Sequence, residues 1–183
     1  EIKETDRSEH HLSFYITEVQ SYRNPTSKYF YSYTILCMSY NGKFRPRHPK
    51  KYKGDPTNII YRSLWERKFM NYCDLTESVS EWQSEEFWIP YISPKDNRVH
   101  RYFPDFFLKY YDRNKKRRVM VVEVKPKKQV EKPPQNPKRR TKAWAYSVQT
   151  WVVNQAKWKA AKEFCADRGY EFKIMTEDDL GIK

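Results

Sequence analysis

The stretch from Val119 to Pro126, with the sequence VMVVEVKP, constrains this chain more than any other. Its β-branched and apolar residues predict a buried strand. Glu123 and Lys125 interrupt the apolar run, and because alternate residues of a strand project to opposite faces, these two share one face. Burying a carboxylate and an ammonium costs free energy unless both are paired. A metal ion and a phosphate would pair them, and so would an ordinary Glu–Lys contact with neighbouring residues.

A β-hairpin is predicted to bring a third charged residue to this strand. The apolar run 101–111 is separated from it by the short polar segment 112–116, which is the pattern of a hairpin. If the turn centres on Asn114, Asp105 and Glu123 are equidistant from it. They would then face each other with Cβ atoms about 5 Å apart. A β-bulge at the turn would shift this register by one residue.

Two carboxylates at that distance repel each other unless a cation lies between them. Mg²⁺ suits such a site because it binds few protein carboxylates together with water and substrate phosphate. It lowers the pKa of bound water and stabilises charge on a phosphorus under attack. Lys125 would orient the attacking water or neutralise the phosphate. We therefore predict Asp105, Glu123 and Lys125 as catalytic residues and the two acids as metal ligands; a structural ion-pair cluster is the alternative. The carbonyl of Val124 is a further candidate ligand, since the chain passes the site there.

A helix is predicted at residues 63–74, ahead of the hairpin. Its apolar residues recur at helical spacing and form one stripe, which contains Leu64, Trp65, Phe69, Tyr72 and Cys73. Ser63 and Glu66 match a capping box, which gives Glu66 a structural role.

The other predicted elements are a strand that is limited by a proline, a long helix that ends at Gly169, and a last strand. They cover residues 86–92, 147–168 and 170–175. The expected buried face of the long helix contains Trp151, Gln155, Trp158, Ala161, Phe164 and Cys165. The order of helix, three strands, helix and strand predicts a mixed α/β (α+β) domain.

The formal net charge of +13 predicts a polyanionic partner, and nucleic acid is the usual one. A basic protein that is merely soluble is the alternative. Two proline-containing basic segments, 43–53 and 127–142, are predicted to be loops that contact the phosphate backbone without reading bases. A solvated tail is the alternative for the first. The candidate DNA-binding residues are Lys43, Arg45, Arg47, Lys50, Lys51, Lys127, Lys128, Lys138, Arg139, Arg140 and Lys142.

The three cysteines lie far apart without a C-x-x-C pair, which argues against a disulfide framework or a zinc cluster and suggests a reducing compartment. No apolar run approaches the length of a membrane span, and we expect no membrane partner. Residues 1–37 look unlike the rest of the chain. Because the chain begins with Glu1 and Met38 is its first methionine, we expect an extension or an upstream artefact at 1–37 and one domain at 38–183.

The motif Phe103-Pro104-Asp105, followed by Glu123-Val124-Lys125, resembles the PD-(D/E)xK motif of restriction-endonuclease-like nucleases. The resemblance implies a central mixed sheet with a catalytic β-hairpin, flanked by helices. In that superfamily an acidic residue on the first core helix commonly joins the metal site, and Glu66 matches it. A Gln or Lys on the helix after the catalytic strand can face the site. Gln155 and Lys157 are the candidates here, and the alternative is that both face solvent.

A closer resemblance covers residues 38–183 and points to the head completion nucleases of T-even-type tailed phages. It is carried by GKF (42–44), DPTNIIYRS (55–63), WE (65–66), YFPDF (102–106), EVKP (123–126), NQAKW (154–158) and FKIMTEDDL (172–180). The core is also similar to the endonuclease subunit of heteromeric transposases.

This family resemblance implies Mg²⁺-dependent cleavage of double-stranded DNA, largely independent of sequence, with Mn²⁺ able to substitute. It also implies a role in finishing DNA-filled heads, with portal or neck proteins as partners and a location at the head vertex of the virion and in the host cytoplasm. The alternatives are a head-closure protein that binds DNA without cutting it, and a transposase or repair endonuclease subunit.

Overall fold

A computed structural model describes residues 40–182. Segment 1–37, Cys37 and Met38 lie outside the described residues. The elements are β1 (Gly42–Phe44), β2 (Ile59–Tyr61), α1 (Leu64–Leu75), β3 (Val79–Ser84), β4 (Ile89–Ile92), β5 (Val99–Tyr102), β6 (Phe106–Tyr111), β7 (Arg117–Val124), α2 (Lys127–Val130), α3 (Lys142–Ala166) and β8 (Glu171–Met175), with a 3-10 turn at Pro49–Lys51.

A four-stranded mixed sheet forms the centre, in the order β3-β6-β7-β8. Its first three strands are antiparallel neighbours, whereas β8 runs parallel to β7. A parallel neighbour needs a crossover connection, which α3 supplies between β7 and β8. Strands β1–β2 and β4–β5 form two small separate sheets. The predicted fold class, a mixed sheet flanked by helices, is confirmed.

The hairpin register agrees with the prediction. The β6–β7 ladder runs from Phe106 opposite Val122 to Tyr111 opposite Arg117, so each pair is equidistant from Asn114. The Asp112 carboxylate holds the connecting loop, because its Oδ1 accepts hydrogen bonds from the backbone N–H groups of Asn114 and Lys116, both at 2.9 Å. The loop therefore sets, by local contacts, which residues meet at the far end of the hairpin.

Two hydrophobic clusters cover the two faces of the sheet. Met120, Val122 and Val124 belong to the first cluster together with residues of α1, and Trp82 is its largest fully buried side chain. The second cluster lies against α3 and contains Ile89, Tyr91, Tyr102, Trp158 and Ala161. Burying a large apolar side chain contributes about 1.5–3 kcal/mol. Because both faces are covered, Glu123 projects into the protein and not into bulk solvent.

The structure corrects the predicted strand bounds. Strand β3 was not predicted because its polar residues mask the alternation, as only Val79 and Trp82 are buried. The strand at 86–92 begins at Ile89. The run 101–111 is two strands, β5 and β6, that belong to different sheets. Pro104 lies between them, and a proline cannot donate to a ladder hydrogen bond. This break leaves Asp105 at the point where the chain enters the central sheet.

The predicted loops and helices also need correction. Segment 43–53 contains the end of β1 and the 3-10 turn, segment 127–142 contains α2 and the first residue of α3, and α3 begins five residues before the predicted Ser147. Leu64, predicted on the buried stripe, is 41% exposed. Gln155, predicted on the buried face of α3, is exposed, whereas Asn154 is buried in its place. Gly169 follows α3 with a φ of 65°, as its predicted capping role requires.

Cys73 and Cys165 are both buried free thiols. Within residues 40–182, no helix combines the length and the apolar character that crossing a membrane requires.

Candidate active site

Glu123 lies near the end of β7 and is 3% exposed. Both of its carboxylate oxygens are engaged: Oε2 accepts a hydrogen bond from the Tyr102 hydroxyl at 2.7 Å, and Oε1 lies 3.0 Å from Nζ of Lys125. A buried carboxylate is tolerated when it is paired and hydrogen-bonded in this way. Glu123 therefore has the hydrogen-bond and ion-pair partners that a buried carboxylate on β7 requires.

Asp105 immediately precedes β6, and its carboxylate reaches across to the end of β7. Its Oδ2 accepts a hydrogen bond from the backbone N–H of Val124 at 2.7 Å and lies 3.5 Å from Nζ of Lys125. The predicted meeting of Asp105, Glu123 and Lys125 is present in the structure. It occurs where one strand of the hairpin starts and the other ends.

The backbone of Val124 faces the same place. Val124 pairs with Met175 of β8, and the N–H of Lys125 donates to the Met175 carbonyl at 2.9 Å. In a parallel ladder the residues on either side of a pair make these bonds, so the N–H and C=O of Val124 itself point away from β8. The N–H uses this orientation to bind Asp105.

The carboxylates and the ammonium shift each other's pKa. Burial, and then the negative charge of Glu123, raise the pKa of Asp105 well above its ordinary value, although Lys125 and the Val124 N–H act in the opposite direction. Burial alone would lower the pKa of Lys125, but the carboxylates of Asp105 and Glu123 overcome this and raise it. The raised pKa favours the protonated, positively charged form of Lys125 beside the two carboxylates.

Glu66 caps α1 through both of its carboxylate oxygens. Its Oε2 accepts from the backbone N–H of Arg62 at 2.7 Å, its Oε1 accepts from the Ser63 hydroxyl at 2.9 Å, and its own N–H donates to Ser63 Oγ at 3.1 Å. This is the predicted capping box with one difference: the backbone N–H that the Glu66 carboxylate binds is that of Arg62 and not that of the N-cap residue Ser63. Its charge still reaches the site, because it contributes to the raised pKa values of Asp105 and Lys125. Among the residues that the structure describes, no three His, Cys, Asp or Glu side chains form a cluster able to hold a metal ion.

The side chain of Lys157, on α3, lies near the charged residues of the site. Its Nζ lies 5.6 Å from the ring centre of Tyr102 and 5.8 Å from that of Tyr91, within the range of a cation–π contact. Burial lowers the pKa of Lys157, whereas the charge of Glu123 raises it. Gln155, the other candidate on this helix, is exposed to solvent.

Comparison with known proteins now identifies the family. The model of the family described as "TnsA-like endonuclease N terminal" matches residues 76–177. This range contains Asp105, Glu123 and Lys125. The chain belongs to the TnsA-like endonuclease family. The head completion nuclease of Enterobacteria phage T4 is 38% identical to it over 147 residues, which cover 78% of this chain and 95% of that protein. Both resemblances that were inferred from sequence segments, to phage head completion nucleases and to transposase endonuclease subunits, are confirmed.

Three polar residues of this TnsA-like endonuclease were not predicted from the sequence: two interact with the site, and the third is buried on α3. Tyr102 binds Glu123, and Arg62 forms an ion pair with Glu85. That pairing, and then the nearby carboxylates of Glu66 and Asp105, raise the pKa of Arg62 against the effect of burial. The third is the buried Asn154, whose Nδ2 has no hydrogen-bond partner among the described residues. The sequence signal for Asn154 was its spacing of one helical turn from the expected core residue Trp158. The signal for Tyr102 was its proximity to the Pro104-Asp105 motif.

The first basic segment of the TnsA-like endonuclease is anchored to the end of α1. The buried carboxylate of Asp74 accepts hydrogen bonds from the backbone N–H groups of Arg47 at 2.7 Å and His48 at 3.0 Å. Nζ of Lys51 donates to the carbonyls of Asp74 at 3.0 Å and Thr76 at 2.7 Å. Lys51, predicted to bind DNA, is therefore an anchor, and burial lowers its pKa. The other predicted contacts in this segment are exposed: Lys43, Arg45, Arg47 and Lys50.

We expect Asp74→Ala to lower the free energy of unfolding by about 2 kcal/mol, because the N–H groups of Arg47 and His48 lose their buried acceptor. Urea denaturation monitored by circular dichroism measures this. Asp167, exposed at the end of α3, is the matched control, and Asp167→Ala should change the free energy by less than about 0.5 kcal/mol. Equal effects of the two substitutions would contradict the anchoring role of Asp74.

The second basic segment is fastened to α3 by two tryptophans. Nε1 of Trp144 donates to the carbonyl of Pro134 at 2.9 Å, and Nε1 of Trp151 donates to that of Val130 at 3.2 Å. Trp158, expected to be a core residue, is buried, whereas Trp151 is only half-buried. The predicted DNA-binding residues of this segment are all exposed: Lys127, Lys128, Lys138, Arg139, Arg140 and Lys142.

Proposed function

We propose that this protein is a DNA endonuclease that hydrolyses phosphodiester bonds with the help of Mg²⁺. The observation that carries the proposal is the convergence of Asp105, Glu123 and Lys125, with the ammonium 3.0 Å from one carboxylate and 3.5 Å from the other. Family membership gives the reaction class, and the charged groups supply a chemically sufficient site for it.

The donor set suits a hard divalent cation. Asp105 and Glu123 offer carboxylate oxygens, and the Val124 carbonyl faces the same side as Asp105. Mg²⁺ requires only one or two carboxylates, with water and phosphate as its remaining ligands. When bound, the ion would activate a water molecule and stabilise the charge that develops on the phosphate. Mn²⁺ takes the same ligand types and should replace it. Glu66 would join this set only by giving up part of its capping role.

The protein's own groups have distinct tasks in this proposal. The Tyr102 hydroxyl holds one oxygen of Glu123 and so fixes the orientation of that carboxylate. Lys125 carries a positive charge and stabilises negative charge on the reacting phosphate. Lys157 adds a second positive charge beside Tyr102, at the side of the site formed by α3.

The proposed substrate is double-stranded DNA, bound largely without regard to sequence. The exposed basic residues of segments 43–53 and 127–142 suit phosphate contacts, which position DNA but carry no sequence information. The relative from phage T4 is named a head completion nuclease. We therefore propose a role in phage head completion after DNA packaging, with portal or neck proteins as partners, at the head vertex of the virion and in the host cytoplasm.

A head-closure protein that binds DNA without cutting it is the second candidate. The engagement of both Glu123 oxygens, by the Tyr102 hydroxyl and by Nζ of Lys125, favours it, since a cation would have to share or displace these partners. A transposase or repair endonuclease subunit is a third assignment, and it differs from the first in partners and not in chemistry.

Incubation with supercoiled plasmid tests the proposal. Wild-type protein should nick the plasmid with Mg²⁺ or Mn²⁺, and EDTA should stop the reaction because the carboxylates lose their cation. Asp105→Ala and Lys125→Ala should remove nicking while retaining DNA binding in a gel-shift assay. Nicking that persists in both variants would come from a contaminating nuclease. Wild-type protein that binds the plasmid but leaves it intact with either metal would favour the head-closure protein.

A further inference from the structure

The hairpin β4–β5 has one face that the protein does not cover. Ile89, Tyr91 and Tyr102 project inward and belong to the second hydrophobic cluster. The opposite face, which we name the outer hairpin face, consists of Trp88, Pro90, Ile92, Val99, Arg101 and Phe103. Four of these are large apolar residues with high exposure: 46% for Trp88, 61% for Ile92, 71% for Val99 and 44% for Phe103. Contiguous exposed apolar residues of this kind mark interaction sites.

Pairing across the hairpin makes this face continuous. Pro90 is opposite Arg101, and Ile92 is opposite Val99. The Arg101 guanidinium lies 5.0 Å from the centre of the Trp88 ring, within cation–π range. The face is therefore an ordered surface of apolar and aromatic groups around one positive charge.

The outer hairpin face adjoins the candidate active site. Phe103, at one end of the face, precedes the site residue Asp105 by two positions. Tyr102, on the inner side of the same strand, donates to Glu123 at 2.7 Å. The inner side of the hairpin thus contacts the site and its outer side carries the exposed face, so DNA that extends from the carboxylates past the edge of the hairpin would reach that face.

The charge of the hairpin matches a polyanion. Lys95 and Arg98 are exposed in the turn that joins β4 to β5, and Arg101 lies within the face itself. The turn also carries Asp96, whose carboxylate accepts a hydrogen bond from His100 at 2.8 Å. The positive groups favour nucleic acid over an apolar protein surface as the occupant of the outer hairpin face.

We propose that the outer hairpin face binds unpaired nucleobases next to the scissile phosphate, so that the preferred substrate is DNA with unpaired bases. The proposal rests on the proposed DNA endonuclease function. Intact duplex presents phosphates and polar groove edges, against which exposed Ile, Val and Trp side chains gain little. Unpaired bases present flat apolar faces, on which aromatic side chains stack. Apolar side chains also enter between base steps and separate them.

Binding by non-cleaving protein tests this independently of nuclease activity. The full chain carrying Asp105→Ala is titrated in EDTA against two fluorescein-labelled DNAs of equal length. One is a perfect duplex, and the other has a central three-nucleotide bubble that contains 2-aminopurine. The protein should bind the bubble about tenfold more tightly than the duplex, which is the size of one base-stacking contact, and should change the 2-aminopurine fluorescence.

Two substitutions on the outer hairpin face are compared in that background. Trp88→Ala should weaken bubble binding about tenfold, leave duplex binding unchanged and remove the fluorescence change. Ile92→Glu, at a more exposed position, should weaken bubble binding at least as much and serves if Trp88→Ala alters the circular dichroism spectrum. Tyr111→Ala is the matched control, because Tyr111 is 47% exposed at the opposite end of β6. It should bind both DNAs like the parent.

The results that would overturn the proposal are specific. Equal affinity of the parent for bubble and duplex would mean that the face does not recognise unpaired bases. An equal loss of affinity for both DNAs in Trp88→Ala would also mean that the face does not distinguish unpaired bases from duplex. If the face substitutions instead abolished self-association in sedimentation while DNA affinity stayed constant, the outer hairpin face would be a protein interface. A protein that binds the bubble as expected but nicks no plasmid would contradict the nuclease proposal and the position beside a scissile phosphate, and would support only the recognition of unpaired bases by this face.

Discussion

Lys125→Met should slow DNA cleavage about 10²–10³-fold while the protein still binds Mn²⁺ at least as tightly as wild type. The rate falls because a charged group that is aimed at the transition state typically contributes a factor of this size. Metal binding survives because the ammonium lies 3.0 Å from Glu123 and 3.5 Å from Asp105 and competes with the cation for the same two carboxylates. Met keeps most of the side-chain volume and removes only the charge.

Single-turnover cleavage rates and calorimetric Mn²⁺ titrations measure the two effects separately. The matched control is Lys109→Met, since Lys109 also lies on the central sheet and pairs with Glu81 at 2.8 Å, away from the site. That substitution should leave the cleavage rate within about twofold of wild type, since a partly exposed ion pair contributes little. A Lys125→Met protein that cleaves at the wild-type rate would rule out its role in stabilising the phosphate. A parallel loss of metal binding would show that Lys125 organises the carboxylates instead.

The parts of the site that the sequence predicted depend on local geometry. The register of a hairpin follows from its turn, so the position of Asn114 was enough to place Phe106 opposite Val122 and the adjoining Asp105 beside the end of β7. The alternation along β7 then assigned Lys125 to the face of Glu123. The capping box of Glu66 is equally local, because it needs only residues within one helical turn.

The parts that the sequence did not predict depend on tertiary contacts. Tyr102 reaches Glu123 because the chain changes sheets at Pro104, and nothing in the run 101–111 signals that the first part pairs with β4. In the sequence, Lys51 cannot be distinguished from an exposed lysine. Its ammonium becomes an anchor because the fold places the carbonyls of Asp74 and Thr76, at the end of α1, within hydrogen-bond distance. Long-range pairings of this kind override local pattern and propensity.

Asp105→Asn should make the metal-free protein more stable than wild type, and the difference should grow as the pH rises. The pKa of Asp105 is raised in the folded protein by burial and by Glu123, whereas in the unfolded chain it returns to its ordinary value. Below that ordinary value both states are protonated, and the carboxyl has no effect. Above it the unfolded chain releases a proton that the native state retains, so the stability of wild type falls until the pH passes the raised pKa.

Asparagine lacks this ionisation, and its oxygen can still accept the hydrogen bond from the Val124 N–H. The expected gain at pH 8 is at least about 1.4 kcal/mol, which is the free energy that corresponds to a tenfold difference in acidity between the folded and unfolded states. It is measured as a higher Tm in EDTA. Asp112→Asn is a control of opposite sign, because the backbone N–H of Lys116 lowers the pKa of that carboxyl. Its contribution to stability is present at neutral pH and is lost as the pH falls, so the substitution should not raise the Tm at pH 8.

Mg²⁺ should reverse the order of stability. A ligand that binds only the folded state stabilises it in proportion to the logarithm of its concentration, and wild type retains both carboxylates whereas Asp105→Asn retains one. Wild type should therefore gain stability as Mg²⁺ is added, with little change in the variant. A Tm of Asp105→Asn below that of wild type at pH 8 in EDTA would mean that Lys125 and the Val124 N–H already stabilise the ionised form of Asp105. In that case the need for a cation, on which the metal site was proposed, would disappear.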